Sequence, residues 1–117
     1  MQIKDKGNLY VENDHIPLEV IDAGVSRKVM AFDDQLMMVK VFFESGSEGV
    51  LHQHAHSQIS HIESGLFEVQ IGEVKKVLKT GDAFYIPPNA VHGVLCLEKG
   101  VLIDVFSPMR EDFVMVY

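Results

Sequence analysis

An all-β sandwich or barrel is the fold class this sequence predicts, on three observations. Apolar residues recur with a period of two rather than the helical period of about 3.6. Turn-forming residues interrupt the chain at short, regular intervals. No segment carries a sustained apolar stripe at helical spacing.

The expected elements follow in order. Leu18–Ile21 is a short strand ending at Asp22-Ala23-Gly24, and Val25–Phe32 is a second, closed by Asp33-Asp34. Gln35–Glu44 (QLMMVKVFFE) is longer and rich in β-formers, with Met37 and Met38 read as core filling. Ser45-Gly46-Ser47-Glu48-Gly49 is a loop by composition, and Val50–His54 is the next strand. Gln58–Glu63 and Leu66–Ile71 read as two strands of a hairpin turned at Ser64-Gly65. Glu73–Leu78 follows, turned by Thr80-Gly81-Asp82, and Ala83–Ile86 is stopped by Pro87-Pro88-Asn89. Val91–Leu97 and Val101–Phe106 are separated by an expected turn at Glu98-Lys99-Gly100, and the tail from Pro108 to Tyr117 reads as an edge strand. About ten short strands at this spacing suit a sandwich or barrel.

A chain of 117 residues is expected to form a single domain, 1–117, with its own core. Its formal charge of −7 argues against nucleic acid or an anionic membrane surface as partner. Cys96 is the sole cysteine, which excludes an intramolecular disulfide and a cysteine-based zinc site; it reads as a small buried hydrophobe. No apolar run has the length of a membrane span, and Met1–Lys6 lacks the apolar stretch of a signal peptide, so a cytoplasmic location is expected.

The chemistry begins at His52-Gln53-His54-Ala55-His56-Ser57-Gln58. Alternate side chains of an extended strand share a face, so His52 and His54 are expected to project together. His92 follows Pro87-Pro88-Asn89-Ala90-Val91, where two prolines fix the approach to a strand. His52, His54, Gln58 and His92 would offer three nitrogens and one amide oxygen. That set suits one divalent first-row ion, Ni, Zn, Fe, Mn or Co, with positions left open. His56 has the right parity but falls at an expected turn, which places it at the rim. His61 should face away from Gln58, and His15 has no evident partner.

These residues resemble the two motifs of the cupin superfamily. His52, His54, Gln58 and Gly65 match the first motif, with Gln in the usual Glu place. Gly81, Pro87, Asn89 and His92 match the second, with Asn in a usual Gly place. The resemblance implies a double-stranded β-helix, or jelly-roll barrel, with a metal inside its mouth. Residues Leu102–Phe113 (LIDVFSPMREDF) resemble the LDVFSPxREDF signature of the small pectin-degradation cupins, which also share Gln as fourth ligand and the IPPN-x-x-H form of the second motif.

That narrower resemblance implies conversion of 4,5-unsaturated monouronates, left by pectin or alginate lyases, into linear 4-deoxy-5-ketouronates. It implies metal ligation by His52, His54, Gln58 and His92, a pocket containing Asp104, Phe106 and Arg110, and a homodimer in which an N-terminal strand takes part. The residues agree with such chemistry. Asp104 and Phe106 share strand parity and can both face the interior, with Ile103 and Val105 on the other face. A carboxylate near a metal can move the proton that ring opening and tautomerisation require, and Arg110 is a natural fork for the anionic sugar's carboxylate. Asp104 as a structural acid, and Arg110 paired with Glu111 or Asp112, stay open as plainer readings. So do two other functions: a sugar-acid binding module without catalysis, and another cupin enzyme such as a dioxygenase or sugar isomerase.

Overall fold

The structure, a computed structural model, describes residues 2–3 and 5–116. Its strands are β1 (Gln2–Ile3), β2 (Glu19–Asp22), β3 (Val25–Phe32), β4 (Met37–Phe43), β5 (Glu48–His52), β6 (Ser57–Ile71), β7 (Val74–Lys79), β8 (Ala83–Ile86), β9 (His92–Ser107) and β10 (Met115–Val116). A 3-10 turn at Asn13–His15 and the short helix α1 (Glu111–Val114) are the helical pieces among the described residues. The main sheet runs β2-β3-β4-β9-β6-β7, with β5 added to β9 and β8 added to β6. β1 pairs antiparallel with β10 as a separate ribbon. Among the described residues no helix is long and apolar enough to cross a membrane.

The alternation that marked the strands also builds the core. On β4, Met37, Val39, Val41 and Phe43 are buried while Met38 faces outward at 42% exposure, so only one of the two adjacent methionines fills the core. Ile62 and Phe67 of β6 and Cys96 and Leu102 of β9 complete the interior, each nearly inaccessible to solvent. The strand expected over Val25–Phe32 and that over Ala83–Ile86 form with those bounds.

Two expected turns are not turns. Ser64-Gly65 lies inside β6, and Glu98-Lys99-Gly100 lies inside β9; the two strands pair with each other along nearly their whole length, from Ser57↔Ser107 to Ile71↔His92. The register shifts around Ser64 and Leu66, a bulged corner where both strands bend together. Gly65 sits at φ +98, and a Cβ there would lie 2.7 Å from the Gly100 Cα. Gly100 has no positive φ, but a Cβ on it would overlap the Ser64 carbonyl oxygen. The glycines that read as hairpin punctuation are therefore a place where two backbones cross too closely for side chains. The tail also differs from a single edge strand: Glu111–Val114 is helical, and only Met115–Val116 pairs as a strand, with Tyr117 outside the described residues.

Gly100→Ala is expected to destabilise the fold by about 3 kcal/mol, since the overlap is with backbone that cannot rotate away. Gly72→Ala, where the added Cβ meets nothing within 4 Å and only the left-handed φ of +60 carries a cost, serves as comparison. Thermal melts should show the larger loss of Tm at Gly100; equal losses would contradict the shared corner.

Candidate metal centre and cavity

Strand pairing brings the two histidine motifs together. His52, the last residue of β5, is the register partner of His92, the first residue of β9, and their rings are 4.2 Å apart between centroids. His54 lies beyond the end of β5 rather than on it. Its position comes instead from the loop before β9, where the Asn89 N–H donates to the His54 carbonyl at 2.7 Å. Asn89 has φ 66, a left-handed conformation that asparagine tolerates better than most residues, which accounts for Asn where the general motif has Gly. One ring nitrogen from each of His52, His54 and His92 falls within 4.8 Å of the others.

The three imidazoles are held alike. Each engages a backbone carbonyl two residues away through Nδ1: His52 with Val50 at 2.8 Å, His92 with Ala90 at 2.9 Å and His54 with His56 at 3.0 Å. A carbonyl can only accept, so Nδ1 carries the proton and Nε2 presents its lone pair, as orienting contacts around metal-binding histidines do. Burial drives His92 down to about 4, helped by the charges of His52, His54 and Arg110. Burial also lowers His54, against the raising effect of its Gln58 contact. Both rings are neutral at pH 7 and need lose no proton to bind a cation.

The donor set fits a divalent ion on two observations. The His92 Nε2 is buried and has no hydrogen-bond partner among the described residues. The His54 Nε2 and the Gln58 Oε1, both lone-pair donors in this protonation state, face each other at 2.9 Å. Two ligands at right angles on bonds of about 2.1 Å sit about 3 Å apart, so a shared cation resolves what is otherwise an acceptor–acceptor contact.

Gln58 is oriented by a chain that sequence reading missed. Its Nε2 donates to the Ser60 Oγ at 2.9 Å, and that hydroxyl donates to the Asp104 Oδ1 at 2.6 Å. The amide oxygen is thereby turned toward His54. Gln58, Ser60 and Ile62 are all buried on one face of β6, and Ser60 is the register partner of Asp104 on β9. Parity with Gln58 was the available signal for Ser60. Burial raises the Asp104 carboxyl to about 6, with the Ser60 hydrogen bond and the Arg110 charge pulling the other way.

Asp104, Phe106 and Arg110 line one cavity of about 240 Å3 together with His52, Gln58 and His92. Arg110 lies 5.3 Å from the Phe106 ring centroid, and its Nε and Nη2 donate to Asp112 at 3.1 and 3.0 Å. The pairing with Asp112, left open by the sequence, is thus present. His56 engages the Met109 carbonyl through Nε2 at 3.1 Å, tying the histidine segment to the loop that carries Arg110. His61 is exposed on the opposite face of β6 from Gln58, and the exposed His15 pairs with Glu12 at 3.1 Å. The cavity also receives Arg27 and Phe113, neither assigned a role by the sequence. A larger cavity of about 570 Å3 lies between the N-terminal segment, β3 and the C-terminal turn, but no group of three metal-ligating side chains gathers there among the described residues.

The Cupin domain family profile matches residues 39–106. The pectin degradation protein KdgF of Dickeya dadantii (strain 3937) is 47% identical over 106 residues, which are 89% of this chain and 96% of that protein. The chain belongs to the KdgF family of cupins. The structure of KdgF from Halomonas sp. superposes with TM-score 0.88 at 37% identity, covering 92% of this chain and 99% of that one. An RmlC-like cupin from Shewanella frigidimarina NCIMB 400 superposes with TM-score 0.91 at 42% identity, covering 93% and 98%. The KdgF-family resemblance carried by Gln58, Asn89 and the segment after Leu102 thus extends over nearly the whole chain.

Isothermal titration with Ni2+ or Zn2+ should give one ion per chain, and alanine at His52, His54 or His92 should each weaken binding by about tenfold or more. Acid behaviour provides a second check on metal-free protein. Between about pH 4 and the ordinary histidine value of 6.5, unfolded chains bind a proton that folded His92 does not, so acidification there disfavours the fold. Between the ordinary carboxyl value of 3.8 and about 6, folded Asp104 holds a proton that unfolded chains have lost, so the same acidification favours the fold. The two effects oppose. Asp104→Asn should steepen the loss of Tm from pH 6.5 to 4, and His92→Gln should flatten it; parallel curves for both variants and wild type would refute the assignment.

Proposed function

We propose that this chain is an enzyme of pectin or alginate breakdown that opens 4,5-unsaturated monouronates and delivers the linear 4-deoxy-5-ketouronate. The observation that carries the reading is Asp104, a carboxyl raised to about 6 in the same cavity as His52, His92 and Gln58. Near neutral pH such a group can accept a proton and return it. The 47% identity to a pectin degradation protein supports the substrate class.

Asp104 takes the proton of the anomeric hydroxyl. The C1 carbonyl forms as the bond from C1 to the ring oxygen breaks, and the electron pair left on that oxygen makes the enolate of C4 and C5. Asp104 then returns its proton to C4, which leaves a ketone at C5. A divalent ion held by His52, His54, Gln58 and His92 supplies Lewis acidity toward the sugar's oxygens. Ser60 holds the Asp104 Oδ1, so the other carboxyl oxygen is the one that meets substrate. Arg110 adds positive charge close to Asp104 and His54, which favours the enolate. Phe106, a register partner of Gln58, gives the sugar a flat apolar wall.

Loss of the unsaturated uronate's ultraviolet absorbance measures the reaction. Asp104→Ala should lower kcat by about a hundredfold or more, and Arg110→Ala by about tenfold. In D2O the product should carry one solvent deuterium at C4, and turnover should persist without oxygen, unlike that of a dioxygenase. Wild-type rates in both variants would overturn the proposal.

A further inference from the structure

The cavity contains a second cation, Arg27, to which neither the metal ligands nor the proton transfer assigns a role. On β3, Arg27 is the register partner of buried Val41, between Val25 opposite Phe43 and Val29 opposite Val39. Directly opposed residues of antiparallel strands share a face, so Arg27 points into the barrel, and its side chain is only 16% exposed. An inward guanidinium among apolar side chains is costly unless something anionic meets it. Its plane is held against Phe113, with Cζ 3.9 Å from the ring centroid. The Arg110 Cζ lies 4.4 Å from the same centroid, so the two guanidinium carbons are within about 8 Å of each other.

The two arginines differ in what they have left to donate. Arg110 gives Nε and Nη2 as a fork to Asp112. Arg27 gives only Nε, to its cross-strand neighbour Glu19 at 3.3 Å, and its two terminal nitrogens have no hydrogen-bond partner among the described residues. A planar pair of donors, held by stacking, is the geometry that matches a carboxylate.

We infer that Arg27, through its two terminal nitrogens, receives the carboxylate of a uronate, leaving Arg110 to act near Asp104. The inference rests on the uronate reading of the site. Phe113 keeps the guanidinium in place, and Glu19, the side chain that competes for Arg27, lines the neighbouring larger cavity with 43% of its side chain exposed. Binding of the sugar acid is therefore set by a contest between its carboxylate and Glu19 for one arginine. If Arg27 serves only to hold β2 on β3, losing Glu19 can only weaken the protein.

The experiment titrates metal-loaded protein with D-galacturonate, a saturated monouronate, with D-galactose as the neutral comparison, and measures KM and kcat with the unsaturated uronate. Wild type should bind galacturonate and discriminate against galactose. Arg27→Ala should raise Kd and KM by about tenfold or more with kcat much less affected, and Arg27→Lys should fall between. Glu19→Gln should tighten galacturonate binding, a gain that misfolding cannot produce. Arg110→Ala should lower kcat with a smaller change in Kd than Arg27→Ala. Wild-type Kd and KM in Arg27→Ala, weaker binding in Glu19→Gln, or a larger Kd effect from Arg110→Ala would each overturn the inference while leaving the enzyme reading intact. Arg27-dependent galacturonate binding without turnover of the unsaturated uronate would overturn the enzyme reading and leave Arg27 in place. No galacturonate binding by wild type would overturn the inference, and absence of turnover of the unsaturated uronate as well would overturn both.

Discussion

The pairing of β6 with β9 is the constraint from which the rest follows. Both strands run from one end of the barrel to the other, and both bend at the point where Gly65 and Gly100 cross. The bend lets β9 use its first half against β5 and its second half against β4. As a result His92, at one end of β9, and Asp104, near the other, look into the same cavity. β6 supplies Gln58 to that cavity, with Ser60 buried behind it, from positions opposite Phe106 and Asp104. Straight strands of this length would put His92 and Asp104 tens of ångströms apart, at about 3.3 Å per residue.

The electrostatics of the cavity work against the charge of the chain. The molecule carries −7 overall, yet two guanidiniums gather around Phe113 at the cavity, and beside it stand three imidazoles whose ring nitrogens could hold a cation. Local geometry prevails because exposed charges are screened beyond about 8 Å at physiological salt, whereas groups inside a cavity are screened much less. Burial acts in opposite senses on the two kinds of titrating group. It keeps His54 and His92 neutral at pH 7, and it raises the Asp104 carboxyl to about 6. One physical cause acts on both the imidazoles and the acid.

Much of the fold was legible because its signals are local. Period two along Met37–Phe43 separates inward Met37, Val39, Val41 and Phe43 from outward Met38. The error fell on Gly65 and Gly100, where composition suggested turns; a glycine needed for a reverse turn and one needed for a close crossing look the same in a sequence. In the site, the gathering of His52, His54 and His92 could be read from spacing, and Gln58 from its place in the family motif, although His54 reaches its place through the Asn89 N–H and not through strand alternation. Ser60 and Arg27 carried only the weak signal of a polar residue at an inward parity. Nothing in the order of residues says that a serine 44 positions before an aspartate will donate to it.

Residue order alone determined the strand period, the histidine spacing, and the presence of an acid and an arginine close together after Leu102, because each depends on neighbours within a few positions. Tertiary structure decided which groups share the cavity and what each still has to offer. Asp112 occupies one fork, Glu19 takes a single nitrogen of the other, and Ser60 turns an amide oxygen toward a histidine. The partners in these contacts lie two to eight residues apart, so the chain offers each pair; which of them form, and what each leaves free, is set by how the strands and turns that carry them pack together.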